Sequence, residues 1–246
     1  MEEVALRNFE DGLVQHCKEF APKHSEVIED EGVRKVVKLG IKRANEYGFT
    51  KRGPIRFYVE LMFMFGSDFD NDFQLPWAEG VLTNDQISDE MERADALHEK
   101  MLEYLEQVAG EDDEYSLKAL RKLSKARLEK YRVAGGTIED LITMALRDVY
   151  PQKYEYLGED RIETLVEGAK QAAKRHSVSS ETGLVLFASL IFAIGHGFDN
   201  DPLFPWVKAT MKDDSVPDPN ERAEKLEKKM KIYLERALEY LEELKK

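Results

Sequence analysis

The chain has 246 residues, and 42% of them are hydrophobic, which gives enough material for a sizeable core and excludes extensive disorder. Its formal net charge of -13 disfavours nucleic acid and anionic membranes as partners, because both are bound by clustered lysine and arginine. The single cysteine, Cys17, cannot form an intramolecular disulfide and indicates a reducing compartment. The acidic N-terminus is unlike a signal peptide, so we expect a cytoplasmic protein.

The predicted elements are all helical, and no strand-like alternation of useful length occurs. In the first half, helices are predicted at about residues 4–19, 32–47, 54–65 and 88–108, with Pro54 in a first helical turn. An acidic break at 110–114 precedes a basic connecting helix, 115–131, which ends at Gly135-Gly136. In the second half, helices are predicted at 137–149, 159–176, 181–194 and 219–244, with Thr137 and Ser180 as N-caps.

Two apolar runs, 59–65 and 184–194, lie within these helices. Both are much shorter than the roughly 20 residues that a membrane-spanning helix needs. We therefore expect both to be buried core helices, and we expect no membrane segment.

The two halves share the loop motif Gly-x-x-Phe-Asp-Asn-Asp-x-x-x-Pro-Trp. The offset between the copies is constant, since 199 minus 70 and 206 minus 77 both give 129. The same offset relates Pro22 to Pro151 and aligns Glu-Arg-Ala in the last helices. The matched loop residues are Gly66, Phe69, Asp70, Asn71, Asp72, Pro76 and Trp77 in the first copy, and Gly195, Phe198, Asp199, Asn200, Asp201, Pro205 and Trp206 in the second.

A register held without a gap over most of each half predicts an internal repeat. The expected fold is therefore all-α, a tandem duplication of a unit of about four to five helices, with the copies related by a pseudo-two-fold axis. The expected domains are repeat 1 at residues 1–110, a connecting helix or linker at 111–136, and repeat 2 at 137–246.

The paired aspartates of each loop allow a metal-binding or hydrolytic interpretation, because two carboxylates can hold a hard cation or share a proton. Glu60 and His196 could extend such a cluster. An EF-hand is excluded, because neither loop has the later ligands and the glycine that this motif needs. The possible helpers also differ between copies: Glu60 corresponds to Ser189, and His196 corresponds to Ser67.

A structural interpretation accounts for every shared position, and a binding surface is a further alternative beside the metal-binding or hydrolytic one. Glycine ends the apolar helix, and aspartate and asparagine bond locally within the turn. Proline stiffens the exit, and the phenylalanine and tryptophan anchor the loop by burying apolar surface. The sequence therefore predicts no catalytic residue and no cofactor.

Other candidate residues receive similar interpretations. Glu60 is expected to pair with Arg56, four residues earlier on the same helix. Cys17 is expected to be a buried thiol rather than a nucleophile. The five histidines, which show no zinc-ligand spacing, are His16, His24, His98, His176 and His196.

The loops and their flanks resemble a helical family of proteobacterial proteins that are encoded beside type VI secretion spike and effector genes. The resemblance covers nearly the whole chain. It implies a cytoplasmic accessory of a secretion or toxin locus, and it supplies no catalytic residues. In the first half it rests on Tyr47-Gly48-Phe49-Thr50-x-Arg52-Gly53-Pro54, Glu60-Leu61-Met62, Gly66-x-x-Phe69-Asp70-x-Asp72 and Pro76-Trp77. In the second half it rests on Ile194-Gly195-His196-Gly197 and Asp201-Pro202-Leu203-x-Pro205-Trp206.

We therefore expect a non-enzymatic, protein-binding accessory of a type VI secretion or toxin locus. It would be an adaptor or chaperone for a secreted effector, or an immunity protein against a toxin. Its acidic faces would meet a basic partner. The alternatives are a metal-binding or hydrolytic protein that uses the aspartate loops, and a structural homodimer built on the patterned last helix, 219–244.

Overall fold

The computed structural model describes residues 2–126 and 136–244, and this part of the chain is helical with no strand. The first half contains α1 (Glu2–Phe20), α2 (Pro22–Glu46), α3 (Arg52–Phe65), α4 (Pro76–Leu82) and α5 (Glu90–Val108). Next comes α6 (Glu114–Ser124). The second half contains α7 (Ile138–Val149), α8 (Pro151–Arg175), α9 (Glu181–Ile194), α10 (Pro205–Met211) and α11 (Pro219–Leu244).

Helix bounds in the two halves agree at the offset of 129 residues. The helices α2, α3 and α4 have the same first and last residues as α8, α9 and α10 after this displacement. The start of α5 likewise matches the start of α11, and the end of α1 matches the end of α7. The short helices α4 and α10, which follow the loops, were not predicted from the sequence.

Both long second helices, α2 and α8, are broken at one matched residue. Glu29 has φ 59° and ψ 171°, and Gly158 has φ 70° and ψ 173°. The sequence prediction placed the starts of these helices just beyond the breaks, near residues 32 and 159, and it missed the preceding turns. Those turns begin at Pro22 and Pro151, where a proline fits the first helical position because no intrahelical N–H is needed there.

The described chain forms two compact units. Of the described residues, the first unit contains 2–101 with 200–205, and the second contains 102–126, 136–199 and 206–244. The second loop is therefore divided, since Asp199 belongs to the second unit and Asp201 to the first. The expected repeat boundaries at 110 and 136 stay a prediction.

The core of the first unit lies between α2 and α3. A Cβ atom on Gly40 would stand 2.6 Å from Val59 Cγ2 and 2.9 Å from Met62 Sδ. The absence of a side chain at this position therefore lets the two helices approach closely. The fully buried residues of this core include Val33, Val36, Val37, Ala44, Val59, Leu61 and Met62.

The core of the second unit lies between α8 and α9, and the helix ends around it have the predicted caps. Thr137 forms a capping box with Asp140, and Ser180 Oγ accepts a hydrogen bond from Gly183 N. These contacts confirm both predicted N-caps. The buried residues of this core include Leu165, Ala169, Ala172, Phe187, Ala188 and Leu190.

The start of the apolar helix is held in each unit by a side chain from the beginning of the last helix. Glu90 Oε2 accepts hydrogen bonds from the backbone amides of Thr50 and Lys51. These bonds lower the pKa of Glu90 to about 2. In the second unit Asn220 Oδ1 accepts the corresponding bonds from Ser179 N and Ser180 N. A carboxylate and an amide thus satisfy the same orphan donors.

The connecting helix is shorter in its described part than predicted. Gly110, with φ 77°, lies in the predicted break after α5, and α6 begins at Glu114, close to the expected start, but ends at Ser124. The predicted continuation through Arg127 to Tyr131, and Gly135, lie outside the described residues. In the portions of the chain with assigned structure, no helix combines the length and apolar character needed to cross a membrane.

Candidate functional site

Each shared loop begins at a glycine with an unusual backbone conformation. Gly66 has φ 100° and ψ 156°, and Gly195 has φ 103° and ψ 163°. Their amides donate to Met62 O at 2.9 Å and to Ile191 O at 3.0 Å, which closes the last turns of α3 and α9. Glycine ends both helices as predicted, but its conformation is extended with positive φ rather than the left-handed helical one that was expected.

Aromatic rings anchor both loops, as predicted. Phe69 and Phe198 are fully buried, and their rings lie 4.9 Å from Tyr58 and 5.5 Å from Phe187, respectively. The tryptophans follow Pro76 and Pro205, the first residues of α4 and α10. Trp77 packs edge-on against Phe65, and Trp206 packs against Tyr233, each at 5.8 Å between ring centroids. These contacts bury large apolar surfaces and fix the loops to their helices.

Asp70 is buried and bonded on both carboxylate oxygens. The Tyr58 hydroxyl donates to Oδ2 at 2.7 Å, and Arg43 Nη1 lies 3.4 Å from Oδ1. Arg43 also donates to Asp68 Oδ1 at 2.6 Å and to the Ser67 carbonyl. Burial, and then the Asp70 charge, raise the pKa of Tyr58 well above its usual value, so this phenol remains a hydrogen-bond donor. The first aspartate therefore ties α2, α3 and the loop together.

Asp199, the matched residue, is buried to the same degree but has different partners. Arg175 Nη2 and His176 Nε2 lie 3.0 Å and 2.9 Å from its Oδ2 atom. Burial alone would raise the pKa of Asp199, but the bonds from His176 and Arg175 outweigh it and lower the pKa. A histidine that the sequence did not single out for this role, His176 at the end of α8, therefore lies beside this carboxylate.

The two aspartates are neutralised from neighbouring turns of matched helices. At the offset of 129, Arg43 corresponds to Ala172, and Arg175 corresponds to Glu46. The arginine of the second copy therefore lies three positions, about one helical turn, after the matched position, whereas the aspartates lie at matched positions. A residue-by-residue comparison of the two sequences cannot find these partners, because each arginine aligns with a non-basic residue in the other copy.

Asp72 and Asp201 each accept a hydrogen bond from a backbone amide within their own turn. Asp72 Oδ1 accepts a hydrogen bond from Gln74 N at 2.9 Å, and Asp201 Oδ1 accepts one from Leu203 N at 2.8 Å. These bonds confirm the predicted side-chain to backbone role. Asn71 and Asn200, the residues between the aspartates, are exposed. Alternation along the motif thus buries the two carboxylates and exposes the amide between them.

Asp201 also links the second loop to the first. Its Oδ2 atom accepts a hydrogen bond from Ser67 N at 2.9 Å. Burial raises the pKa of Asp201, although the amides of Leu203 and Ser67 act in the opposite direction. His24 on α2 holds the same segment: its Nε2 lies 2.7 Å from Leu203 O, and its ring packs edge-on against Phe204. Residues 200–205 are therefore an integral part of the first unit.

The remaining candidates also have structural contacts. Glu60 pairs with Arg56 at 3.5 Å, as predicted, and with His16 at 2.6 Å, which the sequence did not indicate. Burial, and then the Glu60 charge, raise the pKa of Cys17 to about 12, so this buried thiol is a poor nucleophile. Among the described residues, no three His, Cys, Asp or Glu side chains are grouped as metal ligands.

Comparison with known proteins adds no relative: no family model, no curated protein and no solved structure matches the chain.

Proposed function

We propose that the chain is a non-enzymatic, protein-binding accessory of a type VI secretion or toxin locus. It would act as an adaptor or chaperone for an effector, or as an immunity protein. One observation carries the non-enzymatic part: all four loop aspartates are at most 5% exposed, and each has an internal hydrogen-bond partner. The paired aspartates, which in the sequence are the strongest candidates for a metal or catalytic site, thus form hydrogen bonds that stabilise helices and turns.

The surface supports binding to another protein. Large apolar side chains are exposed on one side of α1, where Leu6 and Phe20 keep more than 40% of their surface accessible. Exposed apolar side chains of this size are typical of protein interaction sites when they share a helix face. The excess of acidic residues, with a net charge of -13, favours a partner with a basic patch. The locus itself rests on the family resemblance.

We also propose that the two halves arose by duplication of one helical unit. Support comes from the shared helix bounds and from the matched backbone conformations of Glu29 with Gly158 and of Gly66 with Gly195. Strained or unusual conformations at two matched positions are difficult to explain by helix packing alone. A cytoplasmic location belongs to the same proposal and rests on the lone, buried Cys17.

The test mixes the purified chain with each purified product of the neighbouring genes and measures mass by light scattering during size-exclusion chromatography. We expect a defined complex with one effector or toxin. The matched control is the chain with Asp199→Ala and Asp201→Ala, examined for fold by circular dichroism and for metal by elemental analysis. A folded control should still bind. Failure of every locus product to bind, or stoichiometric metal that the control variant loses, would contradict the proposal.

A further inference from the structure

In the first unit, the end of α1 and the middle of α3 share a face that is partly open to solvent. Phe20, the last residue of α1, keeps 43% of its surface accessible, and its ring stacks on that of His16 at 6.0 Å between centroids. His16 Nε2 in turn lies 2.6 Å from Glu60 Oε1 on α3. Phe63, about one turn after Glu60, is half-buried. These four side chains form what we call the α1/α3 face.

The matched face of the second unit is covered by a helix of the same chain. At the offset of 129, the α1/α3 face corresponds to Ala145, Val149, Ser189 and Phe192 on α7 and α9. Helix α6 packs along α7 and α11, and Leu123 and Ala126, at its end, leave a gap of only about 20 Å³ above these residues. Val149 is consequently 6% exposed, in contrast to Phe20. The first unit therefore exposes a surface on which the second unit seats a helix.

Lys122 fixes the covering helix to the end of α7. Its Nζ atom lies 3.2 Å from Asp148 Oδ1, and it also donates to the Asp148 carbonyl. The last carbonyls of a helix have no intrahelical partner and carry the negative end of its dipole, so a cation is favourable there. Glu19 is the matched residue of α1; it is exposed, and Gln15 Nε2 donates to its Oε1 atom at 2.7 Å. Glu19 therefore presents to a cation the same kinds of acceptor that Lys122 binds, a carboxylate and a carbonyl.

The α1/α3 face also carries an acid that its covered counterpart lacks. Glu60 stands where the second unit has Ser189, whose hydroxyl donates within its own helix to Val185 O at 2.8 Å. The contacts of Glu60 with His16 and with Arg56 both reach Oε1, so Oε2 is the atom that a further donor would meet. A purely apolar cover would remove solvent from this carboxylate at a cost in free energy, which a cation on the covering helix offsets. The added acid therefore favours a basic cover.

The contacts of α6 indicate where such a cover needs its cations. Lys122 meets the residue that matches Glu19. Ala126, four residues or about one turn later, lines the same gap as the residue that matches Glu60. Leu123, between them, is buried against the covered face. A helix that lies on the α1/α3 face in the same way therefore needs two cations four residues apart, with an apolar side chain between them.

We propose that the α1/α3 face binds a basic amphipathic helix of a partner protein, which lies on it as α6 lies on α7 and α9. Two cations of this helix, four residues apart, meet Glu19 and Glu60, and its apolar side chains pack on Phe20 and Phe63. The net charge of -13 attracts such a segment from a distance. This inference rests on the proposed protein-binding function and names the surface and the chemistry of the partner segment.

The test uses the full chain and two labelled synthetic peptides based on residues 114–126. One peptide keeps Lys122 and carries Ala126→Lys, and the other carries Lys122→Glu and Ala126→Glu. By fluorescence anisotropy, we expect the lysine peptide to bind roughly ten-fold more tightly, because two attractive pairs become repulsive with the other peptide. Glu19→Lys in the chain should reduce this preference about five-fold, and Phe20→Ser should weaken binding of both peptides.

Two control variants test where the peptide binds. Glu46→Lys makes the same charge change at the last residue of α2, the end far from its junction with α1, and should keep the preference. Asp148→Lys removes the partner of Lys122 in the second unit and should also keep it, because α6 is tethered beside its own face and outcompetes a free peptide. Circular dichroism verifies that each variant is folded.

Three results would overturn the proposal for this face: equal affinity for the two peptides, a preference that survives Glu19→Lys, or a preference that Asp148→Lys abolishes. The last result would show that the peptide displaces α6 from the second unit. A preference that depends on Glu19, without any complex between the chain and a locus product, would instead refute the proposed locus and leave the α1/α3 face supported.

Discussion

The shared loops of the two halves bury an aspartate at the same position but stabilise it with different residues. Both keep a glycine with φ near 100°, a buried phenylalanine and two buried aspartates. The first aspartate is bonded to Tyr58 and Arg43 in one unit and to His176 and Arg175 in the other. The comparison shows that both units keep the buried carboxylate, whereas its arginine partner comes from adjacent turns of the matched helices α2 and α8.

The largest expected difference between the units is the cost of removing this aspartate. Asp70→Ala leaves the Tyr58 hydroxyl buried without its acceptor, and we expect a loss of about 3 kcal/mol in the free energy of unfolding. Asp199→Ala leaves His176, which is 15% exposed, and Arg175, which is 53% exposed and can turn to water, so we expect a smaller loss of about 2 kcal/mol. Urea unfolding followed by circular dichroism measures both values.

Tyr58→Phe supplies the control for this comparison. It removes the hydroxyl but keeps the ring against Phe69, and in the Asp70→Ala background it should recover part of the lost stability. A cost for Asp199→Ala that equals or exceeds the cost for Asp70→Ala would show that the exposure of the partners does not govern the difference.

A second, smaller effect is expected at the matched breaks of α2 and α8. Glu29 adopts a backbone conformation that is almost confined to glycine, and its counterpart Gly158 has nearly the same angles. We expect Glu29→Gly to raise the free energy of unfolding by about 1–2 kcal/mol and Gly158→Ala to lower it by a similar amount. A Cβ atom at residue 158 meets no other atom within 4 Å, so the effect of the alanine is one of backbone strain.

Thermal melting of the two variants measures these changes. Gly80→Ala is the control, because this exposed glycine lies within α4, has no positive φ and borders open space. Alanine there should be neutral or slightly stabilising. Destabilisation by Glu29→Gly would contradict the idea that the glutamate stores strain.

The sequence was sufficient for the helical class and for much of the loop. Periodicity located the apolar helices, and the shared motif identified the glycine, phenylalanine and aspartate positions, because local turn chemistry and burial determine those roles. The breaks at Glu29 and Gly158 were missed, since a glutamate with positive φ has no local sequence signal. The short helices α4 and α10 were missed because seven residues carry too little periodicity.

The partners of the aspartates could not be predicted for a different reason. Arg43 and Arg175 lie on helices that are distant in sequence from the loops, and they do not match each other at the constant offset. Comparison of the two copies at the constant offset finds only identical residues at matched positions. It misses an arginine that has the same role but lies one helical turn away in the other copy. The exposure of Phe20 could not be predicted either, because only packing distinguishes it from the buried Val149 at the matched position.

The smallest predicted effect concerns pH and separates the two aspartates of the second loop. The pKa of Asp199 is lowered in the folded chain, so its charge stabilises the fold above the ordinary carboxylate pKa, and this contribution is lost as pH falls through the lowered value. The pKa of Asp201 is raised, so the folded chain binds the proton first, and protonation stabilises the fold as pH falls toward the ordinary value. The two residues therefore contribute opposite slopes.

Asn substitutions make this difference measurable, because asparagine keeps the shape of the side chain and does not titrate. From pH 7 to pH 3, the stability gap between the wild type and Asp199→Asn should shrink, whereas the wild type should gain stability relative to Asp201→Asn. Urea unfolding at each pH gives both gaps, and subtraction removes the titration of all other carboxylates. Gaps that change in the same direction would show that the bonds from Arg175 and His176 do not distinguish Asp199 from its neighbour.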